Sequence, residues 1–166
     1  MATDSRIILL MGVAGSGKTT IGRRLAEKLG CPYFEADDFH STANKEKMGH
    51  GVPLNDDDRA PWLAAIRRQI DQCIAQHQSA VFTCSALKEK YRQVLMGDAP
   101  VVKLVYLSGT PALLQARLDG REAHYMKANM LESQLAALEV PANALKIDID
   151  QPPEKIVAAI CHGSGV

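Results

Sequence analysis

Apolar positions gather in five short β-like runs at residues 7–11, 33–36, 80–84, 101–107 and 144–149. Between and after them the spacing lengthens to a helical period at 19–29, 61–76, 87–96, 111–121, 130–138 and 153–161. In the first of these, Ile21, Leu25, Ala26 and Leu29 share one face, and Gly30 follows as a C-terminal cap. Thr110-Pro111 reads as a cap with a first-turn proline, and Asp58 as a cap just ahead of the run that starts at Pro61. Ser79 and Gly97-Asp98 read as turns. Strands alternating with helices predict a mostly parallel sheet covered on both faces. The chain has no internal repeat, low-complexity tract or dividing linker, so its 166 residues are expected to form one domain, 1–166.

The first strand leads into Gly12-Val13-Ala14-Gly15-Ser16-Gly17-Lys18-Thr19, a complete G-x-x-x-x-G-K-[ST] phosphate-binding loop, with Thr20 next in the helix. The glycines let the backbone curl so that N–H groups converge on phosphate oxygens at a helix N-terminus. Lys18 is placed to reach the β- and γ-phosphates, and the Thr19 hydroxyl to bind Mg²⁺. Strand, loop and helix stand in the required order, which predicts a nucleoside triphosphate ligand.

Composition narrows the partners. Nineteen basic residues balance nineteen acidic ones, which argues against nucleic acid. No run approaches the ~18 apolar residues of a membrane helix. Residues 1–6 enter the first strand directly, which argues against a signal peptide. Cys31, Cys73, Cys84 and Cys161 are scattered without metal-like spacing and fit a reducing compartment. The expectation is a cytoplasmic protein.

Two segments break the regular pattern. Residues 37 to about 60 are polar, with Gly49, Gly51 and Pro53, and leave the C-terminal end of the second strand. In open α/β sheets that edge binds ligands, so this insertion is the expected acceptor site. Residues 119 to about 129 interrupt a helical stretch with charged and aromatic side chains and are the expected lid. A guanine-selecting N-K-x-D is missing, since Asn44-Lys45-Glu46-Lys47 lacks the aspartate. The third strand ends without the acidic metal ligand of motor and switch ATPases. A small-molecule kinase fits best, with a regulatory nucleotide-binding module as the reading from another class.

Phosphoryl transfer to a hydroxyl needs an oriented nucleophile and a group to take its proton. Strand alternation places Glu35 and Asp37 on one face and Asp38 on the other. Asp37 is the preferred base or orienter, and Glu35 a holder of a metal-bound water; the alternative is that these acids cap a helix or hydrate a turn. Arg59 suits a forked contact to a substrate carboxylate, or equally an ion pair within the Asp56–Asp58 run. Trp62 reads as core rather than ligand platform. Arg117 and Arg121 stand four apart on one helix, where lid arginines would supply charge to the transition state and His124 a lid contact; solvated helix arginines are the alternative.

Four blocks resemble the gluconate kinases among P-loop small-molecule kinases: the phosphate loop; Ala36-Asp37-Asp38-Phe39-His40 with Asn44 and Lys47-Met48; residues 51–63, containing Pro53-Leu54-Asn55-Asp56-Asp57-Asp58-Arg59; and Cys84-Ser85-Ala86-Leu87-Lys88 with Tyr91-Arg92. A weaker fifth block runs from Arg117 through Arg121, His124 and Ser133-Gln134 to Pro141. The chain departs from the family pattern at Ala36, Ser41, Ala123 and Tyr125. The resemblance implies a P-loop kinase-type three-layer αβα sandwich with a five-stranded, mostly parallel sheet and a helical lid. It also implies ATP:D-gluconate 6-phosphotransferase activity, dependence on Mg²⁺, a cytoplasmic location and often a homodimer. Asp37, His40, Arg59, Ser85, Lys88 and His124 would then face gluconate, with Arg117 and Arg121 near the nucleotide. A shikimate-like kinase is the runner-up in the same class, and the Cys84–Lys88 turn argues against it.

Overall fold

The computed structural model describes residues 5–120 and 128–166. In chain order the elements are β1 (Ile7–Met11), α1 (Lys18–Leu29), β2 (Tyr33–Glu35), a 3-10 turn (Ala36–Phe39), α2 (Thr42–Gly49), α3 (Asp56–Ala75), β3 (Ala80–Thr83), α4 (Glu89–Met96), β4 (Val102–Ser108), α5 (Pro111–Asp119), α6 (Ala128–Ala137), β5 (Leu145–Asp148) and α7 (Pro153–Ser164). The strands lie in the order β2-β3-β1-β4-β5, and every pairing is parallel. None of the described helices is long and apolar enough to cross a membrane.

β1 is buried at all five positions because helices cover both of its faces. Alternation sends Ile8 and Leu10 toward α1, α5 and α7, where they meet Ile21, Leu25, Leu114 and Ile160. Ile7, Leu9 and Met11 face the other way, onto Ile66, Ile70 and Leu95 of α3 and α4. Two cores thus sandwich one sheet, giving the three-layer αβα architecture. Every loop that follows a parallel strand emerges on the same edge, so the phosphate loop, the 3-10 turn after β2 and the turn after β3 are neighbours.

The helix from Pro61 starts earlier than the proline suggests. α3 begins at Asp56, and Asn55, not Asp58, is its cap: Asn55 Oδ1 accepts from Asp58 N–H at 2.8 Å, and Asp58 Oδ2 accepts from Asn55 N–H at 3.0 Å. This reciprocal box satisfies two amides that a start at Pro61 would leave to water, so it outweighs the preference of proline for the first turn. Pro61 is instead carried on an exposed second turn. The 37–60 insertion is also more ordered than its polarity implies, since it holds the 3-10 turn and α2, capped by Ser41 Oγ on Asn44 N–H at 3.1 Å. The Thr110 cap, with Leu113 N–H at 3.2 Å, and the left-handed Gly30 cap (φ 66°) are as expected.

α1 lies close on the sheet at Gly22. A Cβ there would stand 2.7 Å from both Thr83 Cγ2 and Tyr33 Cε2. Crowding of this kind costs about 1–3 kcal/mol, against roughly 1 kcal/mol gained in helix propensity. Gly22→Ala is therefore expected to lower the calorimetric Tm by about 3 °C; an unchanged or raised Tm would show that α1 can shift away from β2 and β3 without loss.

Candidate active site

The phosphate loop connects the end of β1 to the first turn of α1. Gly15 (φ 84°) and Gly17 (φ 88°) hold left-handed backbone, and a Cβ on Gly15 would stand 2.9 Å from the Leu114 carbonyl. Both constraints exclude larger residues and leave the amides free to converge. Lys18 Nζ donates to the carbonyls of Gly12 at 2.8 Å and Val13 at 3.2 Å, which keeps its charge at the mouth of the loop. Arg117 reaches in from α5: its Nη2 donates to the Ile149 carbonyl at 2.6 Å, and Nη1 would stand 3.7 Å from a Cβ on Gly17. This puts a guanidinium beside the loop. Arg121 and His124 lie outside the described residues.

A cleft of about 270 Å³ opens beside the loop, with Lys18, Thr19, Glu35, Asp37, Ser85 and Gln134 in its walls. Asp37 does not reach it by strand alternation, because β2 stops at Glu35 and residues 36–39 coil into the 3-10 turn. The turn still delivers both carboxylates to one cleft. Glu35 Oε1 accepts the Thr19 hydroxyl at 2.6 Å, and Glu35 stands in register with Thr83 of β3. The hydroxyl and carboxylate are adjacent hard oxygen donors of the kind Mg²⁺ takes together with phosphates and water. Among the described residues no group of three acidic, histidine or cysteine side chains could hold a metal by itself.

Cys84 borders the same cleft, but burial, with Asp37 adding to it, pushes its thiol up to about 12 against the pull of an Ala86 backbone bond and Lys18. It stays protonated and is no nucleophile. The four cysteines are all free, three of them buried.

Beyond the 3-10 turn, His40 is buried and stacks on Trp62, ring centroids 4.3 Å apart and 10° from parallel. Trp62 Nε1 donates to the Ala36 carbonyl at 2.7 Å, so the tryptophan is a brace for the 3-10 turn, packed against the core. Asn44 Nδ2 contacts His40 Nδ1 at 3.3 Å and donates to the Asp58 carbonyl at 2.9 Å. Lys47 Nζ pairs with the Asp58 carboxylate at 2.9 Å. Burial lowers the His40 pKa, Asp37 opposes the shift, and Lys45 and Arg59 reinforce it. A second cleft of about 340 Å³ lies against this network, between Phe39, Ser41, Asn44, Asp58, Pro61 and Trp62.

Arg59 is held by Tyr91 of α4. Its Nη1 donates to Tyr91 Oη at 3.2 Å and lies 3.8 Å from Asp56 Oδ1, while Tyr91 Oη donates to Asp56 at 2.8 Å. The ion pair within the acidic run is thus present, but long and part-exposed, and among the described residues it leaves most of the guanidinium donors uncommitted. Ser85 borders the loop cleft, and Lys88 ends the turn as the residue before α4. That turn is held by Arg92, which is buried at 2% exposure. Arg92 Nη1 donates to the Ala86 carbonyl at 2.8 Å, where Ala86 has φ 45°, and Nη2 to the Glu139 carbonyl at 2.7 Å. Tyr91, Arg92 and Gln134 occur in the sequence blocks quoted above, yet only their contacts give them work. A polar residue on a helix carries no periodic signal that marks it as inward-facing.

Residues 7–141 match the family model described as an AAA domain. A probable gluconokinase of Dictyostelium discoideum is 43% identical, over 93% of this chain and 84% of its own length. A gluconokinase of Gluconobacter oxydans is 41% identical, over 95% and 90%. The crystal structure of a gluconokinase from Sinorhizobium meliloti superposes with a TM-score of 0.85 at 38% identity, covering 98% of this chain and 93% of that one. A phosphate loop facing acidic residues across one cleft, with similarity of this extent over nearly the whole length, means that the chain belongs to the gluconokinase family.

Proposed function

We propose that this protein transfers the terminal phosphoryl group of ATP to the 6-hydroxyl of D-gluconate, giving 6-phospho-D-gluconate and ADP. The observation that carries the reading is the single cleft shared by the loop lysine and the Asp37 carboxylate. The loop and helix start, residues 12–20, receive the triphosphate, Lys18 meets its β- and γ-phosphates, and Arg117 and Arg121 balance charge on the nucleotide. Asp37 orients the acceptor hydroxyl and takes its proton as the new O–P bond forms and the bond to ADP breaks. Thr19 would hold Mg²⁺ directly and Glu35 through a water, supplying charge neutralisation at the phosphoryl oxygens. Arg59 receives the gluconate carboxylate with its uncommitted donors. His40, Ser85, Lys88 and His124 serve the hydroxyls. An Asn44 N–H donated to Nδ1 requires the His40 ring proton on Nε2, so neutral His40 keeps a defined donor. A cytoplasmic homodimer is the setting that we attach to this reading.

ADP release from Mg·ATP against D-gluconate, shikimate, glycerate, hexoses and no acceptor tests the assignment. Turnover with gluconate alone is expected; turnover on another acceptor would replace the substrate, and none at all with ATP bound would favour a regulatory module. Asp37→Asn should lower kcat by about two orders of magnitude with ATP affinity nearly unchanged, and full activity would remove Asp37 from the mechanism. Arg59→Ala should raise KM for gluconate far more than KM for ATP; equal effects would place Arg59 elsewhere. For His40, the unfolded chain binds a proton near the ordinary value while the folded chain resists it. The stabilising contribution is therefore present above about pH 6.5 and lost as pH falls below it. Urea midpoints at about pH 7.5 and about pH 5.5 should drop more for the wild type than for His40→Gln. Equal drops would mean that the ring protonates freely in place.

A further inference from the structure

α6 contributes to the phosphate-loop cleft through Gln134. Its Oε1 accepts the Ala14 N–H at 2.7 Å, a bond spanning 120 residues of chain and reaching into the first half of the phosphate loop. A carboxamide is planar, with an acceptor at one corner and two N–H donors at the other. Fixing Oε1 on a buried loop amide therefore fixes where Nε2 points. Among the described residues Nε2 makes no hydrogen bond, although the side chain is half-buried. The groups sharing the cleft are Lys18 and Thr19 on the nucleotide side and Asp37 and Ser85 on the acceptor side. The oxygens of a phosphoryl group passing between those two sides would match an unsatisfied pair of N–H donors.

We propose that Gln134 is a further phosphoryl-contacting residue: anchored through Oε1 on Ala14, it donates from Nε2 to a terminal phosphoryl oxygen of ATP. This rests on the kinase reading above and adds to it a neutral donor, supplied by α6 from the wall of the cleft. The loop amide serves as the orienting partner, so the donor is in place before the triphosphate arrives and needs little reorganisation during transfer. A neutral amide also adds hydrogen bonds without competing with Asp37 for the acceptor proton, which a further cation beside that carboxylate would do by lowering its basicity.

Gln134→Glu separates this role from a purely structural one. A carboxylate keeps an acceptor for the Ala14 N–H, at similar reach, but replaces the donors with negative charge. The expected result is an apo Tm close to the wild type and a fall in kcat of at least about 100-fold. Affinity for a non-hydrolysable ATP analogue should drop by about 10-fold or more, while affinity for ADP, which lacks the terminal group, changes little. Gln134→Met, which removes both ends of the amide without adding charge, should show the same split between the analogue and ADP at smaller size. Activity of Gln134→Glu within a few-fold of the wild type would overturn the proposal, as would equal losses of analogue and ADP affinity in Gln134→Met. The nucleotide measurements need no acceptor, so they decide the role of Gln134 even where another hydroxy compound replaces gluconate.

Discussion

Everything in this protein answers to one requirement: the backbone between Gly12 and Thr19 must curl tightly enough for its amides to face a highly charged ligand. The curl buries only Val13, Ala14 and Ser16 of its own, so much of its stability comes from the elements at either end. β1 supplies one anchor, central in the sheet and inaccessible along its whole length. α1 supplies the other, closed down on β2 and β3 through the bare face of Gly22. Contacts from further along the chain finish the cradle, with the Leu114 carbonyl under Gly15, Arg117 beside Gly17 and Gln134 on Ala14.

Parallel strand order then decides where the chemistry goes. β3 runs beside β1 but ends at Thr83, with Cys84 next and no carboxylate there. The acid comes from one strand further out, where Glu35 stands in register with Thr83 and takes the Thr19 hydroxyl. A change from strand to 3-10 turn immediately afterwards carries Asp37 into the same cleft. Two carboxylates that pleat alternation would have kept on one strand face are instead brought together by the end of the strand.

The region after β2 is built differently, with polar contacts added to the packing of Phe39 and Trp62 on the core. Asn44 joins α2 to the start of α3, His40 and Trp62 stack between them, and Lys47 closes on Asp58. Arg59 is steadied by Tyr91 from α4, and the turn carrying Ser85 is held by the buried Arg92. In this network His40, Asn44 and Arg92 are buried, while Lys47, Asp56 and Arg59 stay part-exposed.

Local chemistry was sufficient for much of this. The phosphate loop, the five strands, the Gly30 and Thr110 caps and the acidic acceptor segment all follow from residues within a few positions of one another, because strand pleat, helix period and capping are short-range forces. The start of α3 was legible too, but only once the Asn55–Asp58 box was weighed above Pro61. Other features depend on groups distant in sequence. The position of Asp37, the hold of Tyr91 on Arg59, the burial of Arg92 and the bond from Gln134 to Ala14 join residues that no pattern relates. Hydrophobic spacing reports which face of an element is dry; the partner of a polar side chain is decided only when packing brings two distant donors and acceptors within hydrogen-bond reach.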